Sequence, residues 1–139
     1  MQQTKFHDYA NTLSVYELNR FRKYIHSPLY NEDEKLKIFT DTFLPFAKTN
    51  TLHFLDEKEI WQKLYGNTKY NRAKFIRLLS DTVKKIEHFL VLDRFQQQRD
   101  LQYTSQLEIM NERKLAKHIP ELISLAERKY EATTTRDGD

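Results

Sequence analysis

Apolar side chains recur along this chain every three or four positions, which is the spacing of one face of an α-helix. No segment shows a sustained apolar–polar alternation, and Leu52–Leu55, which could form a short extended piece, is too isolated to build a sheet. The pattern therefore predicts an all-α fold. Four periodic runs carry its core: Leu18, Phe21 and Ile25; Leu36, Phe39, Phe43 and Phe46; Ile60, Trp61 and Leu64; and Phe75, Ile76, Leu79, Val83, Ile86 and Leu90.

Polar residues mark where these helices begin. Ser14, Asn31 and Asp56 each place a side-chain oxygen three residues before a glutamate. Such an oxygen accepts from a free backbone N–H, while the glutamate can reach back to the N–H of the capping residue. Asn71 is a fourth capping residue and opens the longest run. We therefore expect helices to start at these four residues.

Proline and glycine mark where helices end. Pro28 should stop the first helix, because the residue before proline is pushed out of the helical region. Pro45 should kink or terminate the second. Gly66 should close the third in the left-handed conformation. Residues 49–51 should form a loop.

The segment from residue 71 has the broadest apolar face and should be the central helix, contacting neighbours on more than one side. Residues 71–117 contain neither glycine nor proline, which favours one continuous helix, although a break near Asp100 stays open. Pro120 suits the first turn of a last helix. We expect an irregular bundle of five to six helices around the central one, with extension as helical hairpins as an alternative. Residues 1–12 should be an N-terminal arm, 13–132 a single domain and 133–139 a polar tail.

Composition limits the classes of protein to which the chain can belong. The mean hydropathy of −0.79 and 31% charged residues would fit disorder, but 13% aromatic residues favour a folded core. The absence of cysteine fits a reducing cytoplasm. Residues 1–8 lack the apolar region of a secretory signal, and the longest apolar stretch, Phe89–Leu92, is too short to span a membrane.

The polar residues do not form a recognisable catalytic motif. The five histidines lack metal-ligand spacing, and the serines lack a nucleophile-elbow context. The acidic clusters at residues 32–34 and 56–59 lie in helix first turns, where the helix dipole explains them. We therefore expect neither an enzyme nor a cofactor or metal site.

A basic segment allows a nucleic-acid interpretation. Between residues 69 and 77 the chain carries four cationic side chains and no acidic one, beside an aromatic residue that could stack or contact phosphate. A helix-turn-helix would place them near the start of its second helix. The alternative is a solvated basic stripe. The candidate contacts are Lys69, Tyr70, Arg72, Lys74 and Arg77.

The weaker apolar pattern beyond residue 100 suggests a protein-interaction surface. Its apolar residues are fewer per turn than those of 71–95, and little additional chain could cover them. They could pack on the first four helices, meet a protein partner or a second copy, or meet missing sequence. The candidate surface consists of Leu107, Met110, Leu115 and Leu122. We therefore expect a non-enzymatic protein-interaction or scaffold domain, with nucleic-acid binding as the alternative.

Two segments, 21–36 and 60–91, resemble a family of uncharacterised, longer bacterial proteins that are helical throughout. The resemblance rests on four short motifs: Ser27-Pro28-Leu29-Tyr30-Asn31, Leu64-Tyr65-Gly66, Tyr70-Asn71 and Leu79-Ser80-Asp81. Leu29 departs from the aromatic residue of the family pattern. The resemblance covers residues 13–95 and implies a helical fold but no activity. It further implies that this chain is an N-terminal portion or a shortened relative.

Overall fold

The computed structural model describes the backbone of residues 1–137 and the side chains of residues 1–129, and every regular element in that part is helical. The predicted all-α fold is thus confirmed. The described part has one α-helix more than the five to six expected. The elements are α1 (Lys5–Asn11), α2 (Val15–Ile25), α3 (Glu34–Lys48), a 3₁₀ turn (Leu52–Phe54), α4 (Glu57–Tyr65), α5 (Arg72–Gln97), α6 (Arg99–Glu112), a second 3₁₀ turn (Ala116–His118) and α7 (Ile119–Asp137).

The chain forms two compact units, Met1–Leu92 and Asp93–Asp139, whereas the sequence predicts one domain over 13–132. The division has a physical reason. Among the described side chains, every buried hydrophobic residue belongs to the first unit. The boundary falls near the end of α5, where the apolar periodicity of that helix fades.

The predicted N-terminal arm over 1–12 instead contains the helix α1. Phe6, His7 and Ala10 of this helix are buried. The ring centroid of Phe6 lies 5.2 Å from that of Phe39 and 4.9 Å from that of Phe43. Seven helical residues are too few to show a clear periodicity, so the sequence pattern did not reveal this helix.

Helix α3 joins the other elements of the first unit. It packs against α2, α4 and the first 3₁₀ turn. Phe39 and Phe43 are fully buried on its inner face, and Phe43 also lies 6.5 Å from the ring of Phe21 in α2. Aromatic rings of α1, α2 and α3 therefore share one core.

Helix α5 is the longest described helix and supplies the largest set of buried apolar residues in the first unit. Phe89 packs on Phe21 of α2 with the ring centroids 5.5 Å apart. Ile76 departs from prediction, since 51% of it is exposed. The buried hydrophobic residues of α5 are Phe75, Leu78, Leu79, Val83, Ile86 and Phe89.

Three of the four predicted helix starts are confirmed. Ser14 and Glu17 form a reciprocal capping box, Asp56 accepts from the N–H of Lys58, and Asn71 accepts from the N–H of residue 74. The prediction that Asn31 caps the second helix is wrong. Asp33 caps α3 two residues later, and the side-chain amide of Asn31 is buried, where it donates to the carbonyls of residues 25 and 33.

The helix ends agree with prediction in part. Pro45 lies in the last turn of α3, which ends three residues later at Lys48 and is followed by Asn50 at a φ of 58°. Leu52–Phe54 is a 3₁₀ turn and not an extended piece. Gly66 has the expected positive φ of 66°, but its ψ of −140° lies outside the left-handed helical region, in backbone space that is nearly specific to glycine.

Of the two possibilities for residues 71–117, the structure shows the break near Asp100 and not one continuous helix. The backbone leaves the helical region at Gln98, with ψ at 83°. The carbonyl of Phe95 accepts from the Gln98 N–H at 3.1 Å and from the side-chain amide of Gln102 at 2.7 Å. Local glutamine bonds therefore accompany a break that needs neither glycine nor proline.

The last helix begins at Ile119 with Pro120 in its first turn, as predicted. The predicted polar tail spans 133–139. Residues 133–137 belong to α7, whereas Gly138 and Asp139 lie outside the described residues.

The buried face of α5 can be tested with one substitution at two positions. Ile86 is fully buried and Ile76 is half exposed on the same helix. Ile86→Ala should reduce the free energy of unfolding by about 2–5 kcal/mol, because it leaves a cavity in the core. The control Ile76→Ala should change it by about 0.5 kcal/mol or less. Chemical denaturation of both variants makes the comparison, and equal losses would contradict the described orientation of α5.

Candidate interaction surfaces

The C-terminal unit is distinguished by the exposure of its apolar residues. None of the side chains at residues 94–129 is buried. Folded helices normally gain most of their stability from packing an apolar face. A helical unit without a buried side chain in that range therefore has apolar surface left to cover.

Within this unit the half-buried residues follow helical spacing. Tyr103, Leu107 and Met110 lie four and three positions apart on α6, and Ile119 and Leu122 lie three apart on α7. Residues with these offsets share one face of a helix. On each helix the half-buried residues thus share one face, while other apolar residues of the unit are more exposed.

The structure places the four predicted surface residues at different depths. Leu107, Met110 and Leu122 are half-buried on those faces, while Leu115 follows the end of α6 and is 39% exposed. Other apolar residues of this unit, outside the four predicted ones, are exposed as well. These residues are Phe95, Leu101, Ile109, Ile123 and Leu125, each between 38% and 50% exposed.

The turn after α6 is shaped by a lysine. Lys114 has a φ of 60°, and the N–H of Leu115 bonds back to the carbonyl of Met110 at 2.7 Å. This is the bonding of a helix end that usually carries glycine. Without a glycine there, the sequence contains no clear signal for the turn.

The predicted nucleic-acid residues lie around the connection between α4 and α5, which spans residues 66–71. The indole N–H of Trp61 donates to the carbonyl of Thr68 at 2.9 Å, and the hydroxyl of Thr68 donates to the carbonyl of Tyr65 at 2.6 Å. This connection is longer than the three- or four-residue turn of a helix-turn-helix. Lys69 is exposed in this connection, and Arg72 and Arg77 are exposed in the first turns of α5.

Tyr70 is held by α4 and is not presented as a free stacking surface. Its hydroxyl donates to the Glu57 carboxylate at 2.6 Å, and its ring packs edge-on against Trp61. Burial, followed by the hydrogen bond to Glu57 and the charge of that carboxylate, raises the pKa of Tyr70 to about 12, while Arg72 opposes the rise. Burial and the Glu57 carboxylate therefore both favour the neutral form of the phenol.

Lys74 is engaged in a second aromatic contact. Its ammonium lies 4.6 Å from the ring centroid of Tyr65, and the ammonium of Lys35 lies at the same distance from that ring. Lys35 also donates to the carbonyl of Leu64. Lys35 of α3 and Lys74 of the basic segment thus both contact the Tyr65 ring by cation–π attraction. Sequence spacing does not reveal the contact of Lys35.

The remaining polar groups are more dispersed. Within the described part of the chain, no three His, Asp or Glu side chains come together as possible ligands of a metal ion. No described helix combines the length and apolar character needed to cross a membrane.

Comparison of the chain with protein-family models, with curated proteins and with solved structures gives no match.

The Tyr70–Glu57 bond can be tested by titration. Glu57→Gln should lower the pKa of Tyr70 from about 12 toward its ordinary value of 10.0, because the substitution removes the negative charge. Glu59→Gln, an exposed position on the same helix, should leave that pKa unchanged. Ring-carbon NMR shifts followed against pH provide the measurement.

The sign of the accompanying stability change follows from the same shift. Because the folded-state pKa is raised, the contribution of Tyr70 to stability is present below pH 10 and is lost as the pH rises toward about 12. Glu57→Gln should reduce that alkaline loss. An unchanged Tyr70 pKa in Glu57→Gln would show that burial alone causes the shift.

Proposed function

We propose that this chain is a non-enzymatic, cytoplasmic helical protein that acts through protein–protein contact, with its C-terminal unit as the contact surface. The observation that supports the proposal is the lack of any buried side chain at residues 94–129, although that segment forms helices that carry exposed apolar residues. Exposed apolar faces of this kind are typical of interaction sites.

The partner that fits this surface is a second copy of the chain. Cationic and anionic side chains are nearly balanced and interspersed over residues 93–129. A surface with little net charge exerts little repulsion on a copy of itself, whereas a large net charge would keep copies apart. The exposed apolar residues of two copies could then cover one another without bringing like charges together in bulk.

An acidic substitution at the centre of the exposed apolar set tests this proposal. Ile109→Asp should weaken self-association, because it places an unpaired charge where an apolar contact is proposed. Leu29→Asp is the matched control, since Leu29 is 81% exposed and belongs to the first unit. Light scattering and sedimentation over a range of concentrations should show a dimer for the unmodified chain and for Leu29→Asp.

Hydrogen exchange provides the second measurement. The amides of residues 101–125 should gain protection as the protein concentration rises, because the segment is covered only in the dimer. A strict monomer in which 101–125 is as protected as α5 would show that the segment is ordinary core. A strict monomer with weak protection there would exclude the second copy as partner.

Nucleic-acid binding is the second candidate function. Lys69, Arg72 and Arg77 are exposed, and their side chains make no hydrogen bond or salt bridge with another described residue. These cations are therefore available to phosphate groups. Because Tyr70 and Lys74 are engaged elsewhere, the basic segment offers fewer free contacts than its sequence suggests.

Anisotropy titrations with single-stranded and duplex probes at low salt test this second candidate. We expect only weak binding that falls steeply with salt, since each neutralised phosphate releases counterions. Arg72→Glu should reduce it more than Lys48→Glu, which makes the same kind of charge change at the end of α3. A sub-micromolar complex lost only in Arg72→Glu would make nucleic-acid binding the leading function.

A further inference from the structure

A buried histidine connects the first helix to the core. His7 is 2% exposed, and its helix packs against the first 3₁₀ turn. Its neighbour Phe6 lies on the rings of Phe39 and Phe43. The seven residues of α1 are too few to form a stable helix alone, so the helix depends on this docking.

In the capping box at the start of α1, the imidazole of His7 has the role that usually belongs to glutamate or glutamine. It occupies the third helical position, and its Nδ1 accepts the backbone N–H of Thr4 at 3.0 Å. Because Nδ1 is an acceptor in this bond, the neutral ring carries its proton on Nε2. Nε2 is buried near the Leu52 carbonyl without a hydrogen bond of normal geometry.

Protonation of the ring opposes this arrangement in two ways. A proton on Nδ1 turns the acceptor into a donor, which leaves the Thr4 N–H facing another N–H. The Thr4 hydroxyl, also 3.0 Å from Nδ1, could accept the new proton but cannot satisfy the backbone N–H. The added charge is moreover buried, and burial disfavours the charged form of a histidine.

The groups around the imidazole of His7 shift its pKa in both directions. Burial is the largest influence and lowers the pKa of His7 below its ordinary value of 6.5, and the Met1 ammonium and His53 lower it further. The Leu52 carbonyl and the Asp8 carboxylate oppose this lowering. A histidine with a lowered pKa stabilises the docked state above pH 6.5, and that contribution is lost as the pH falls through the lowered value.

We propose that His7 makes the docking of α1 dependent on pH: the neutral imidazole holds α1 on the core, and uptake of one proton releases it. Release uncovers the part of Phe39 and Phe43 that Phe6 covers, and so creates an apolar surface in the first unit. This device is separate from the proposed contact surface of the C-terminal unit.

Hydrogen exchange of α1 measures the release directly. After correction for intrinsic exchange rates, the opening equilibrium of the amides of residues 8–11 should rise below pH 6.5 by up to about tenfold per pH unit, which is the slope for uptake of one proton. The amides of α5 should show no such slope. The imidazole resonances of His7, followed by NMR over the same range, should titrate together with the opening.

His7→Gln is the decisive variant, because glutamine is a common residue at this capping position and does not titrate. We expect α1 to remain docked in His7→Gln and its opening to lose the pH dependence. His118→Gln, which replaces an exposed histidine in the C-terminal unit, should retain it.

Two results would overturn the proposal. An opening equilibrium of α1 that is flat with pH in the unmodified chain would show that His7 does not control docking. If the opening equilibrium of α1 keeps its pH slope in His7→Gln, another group, such as His53, takes up the proton. If His7→Gln fails to dock, the joint titration of the His7 ring and α1 opening in the unmodified chain still decides the question.

Discussion

The packing of Phe43 is the interaction on which the first unit depends. Its ring lies within 6.5 Å of the rings of Phe6, Phe21 and Phe39, so a single side chain of α3 connects the helices α1 and α2. Aromatic pairs at such distances contribute beyond the area that they bury. Helix α5 joins the same cluster through Phe89, which packs on Phe21 of α2. Loss of the ring at Phe43 would therefore affect elements that are far apart in sequence.

Local signals explain how much of this fold the sequence could predict. Ser14, Asp56 and Asn71 mark helix starts because capping depends on a side chain and the few residues after it. The Asn31 prediction was wrong because two polar residues compete at that start, and only the burial of Asn31 against the Ile25 carbonyl favours Asp33 as the cap. Helix α1 was missed because its stability comes from tertiary contacts, which periodicity does not report.

The candidate surfaces also combine local features, which a sequence can indicate, with tertiary contacts, which it cannot. Lys69, Arg72 and Arg77 are exposed, and no side chain at residues 94–129 is buried. The bond from Tyr70 to Glu57 and the contact of Lys35 with Tyr65 join residues 13 and 30 positions apart. Such pairs depend on how α3, α4 and α5 pack, so sequence spacing alone does not predict them. The break at Gln98 is accompanied by a bond from the Gln102 side chain to the Phe95 carbonyl, for which no simple sequence rule exists.

The position of Trp61 has a consequence for optical studies of this protein. It is the single tryptophan of the chain, is 4% exposed, and donates its indole N–H to the connection between α4 and α5. Intrinsic tryptophan fluorescence therefore reports the surroundings of that connection. Unfolding of the C-terminal unit would give no tryptophan signal of its own, because Trp61 lies in the first unit. A single fluorescence transition would thus describe the first unit, and coincidence with circular dichroism is needed before the whole chain is treated as two-state.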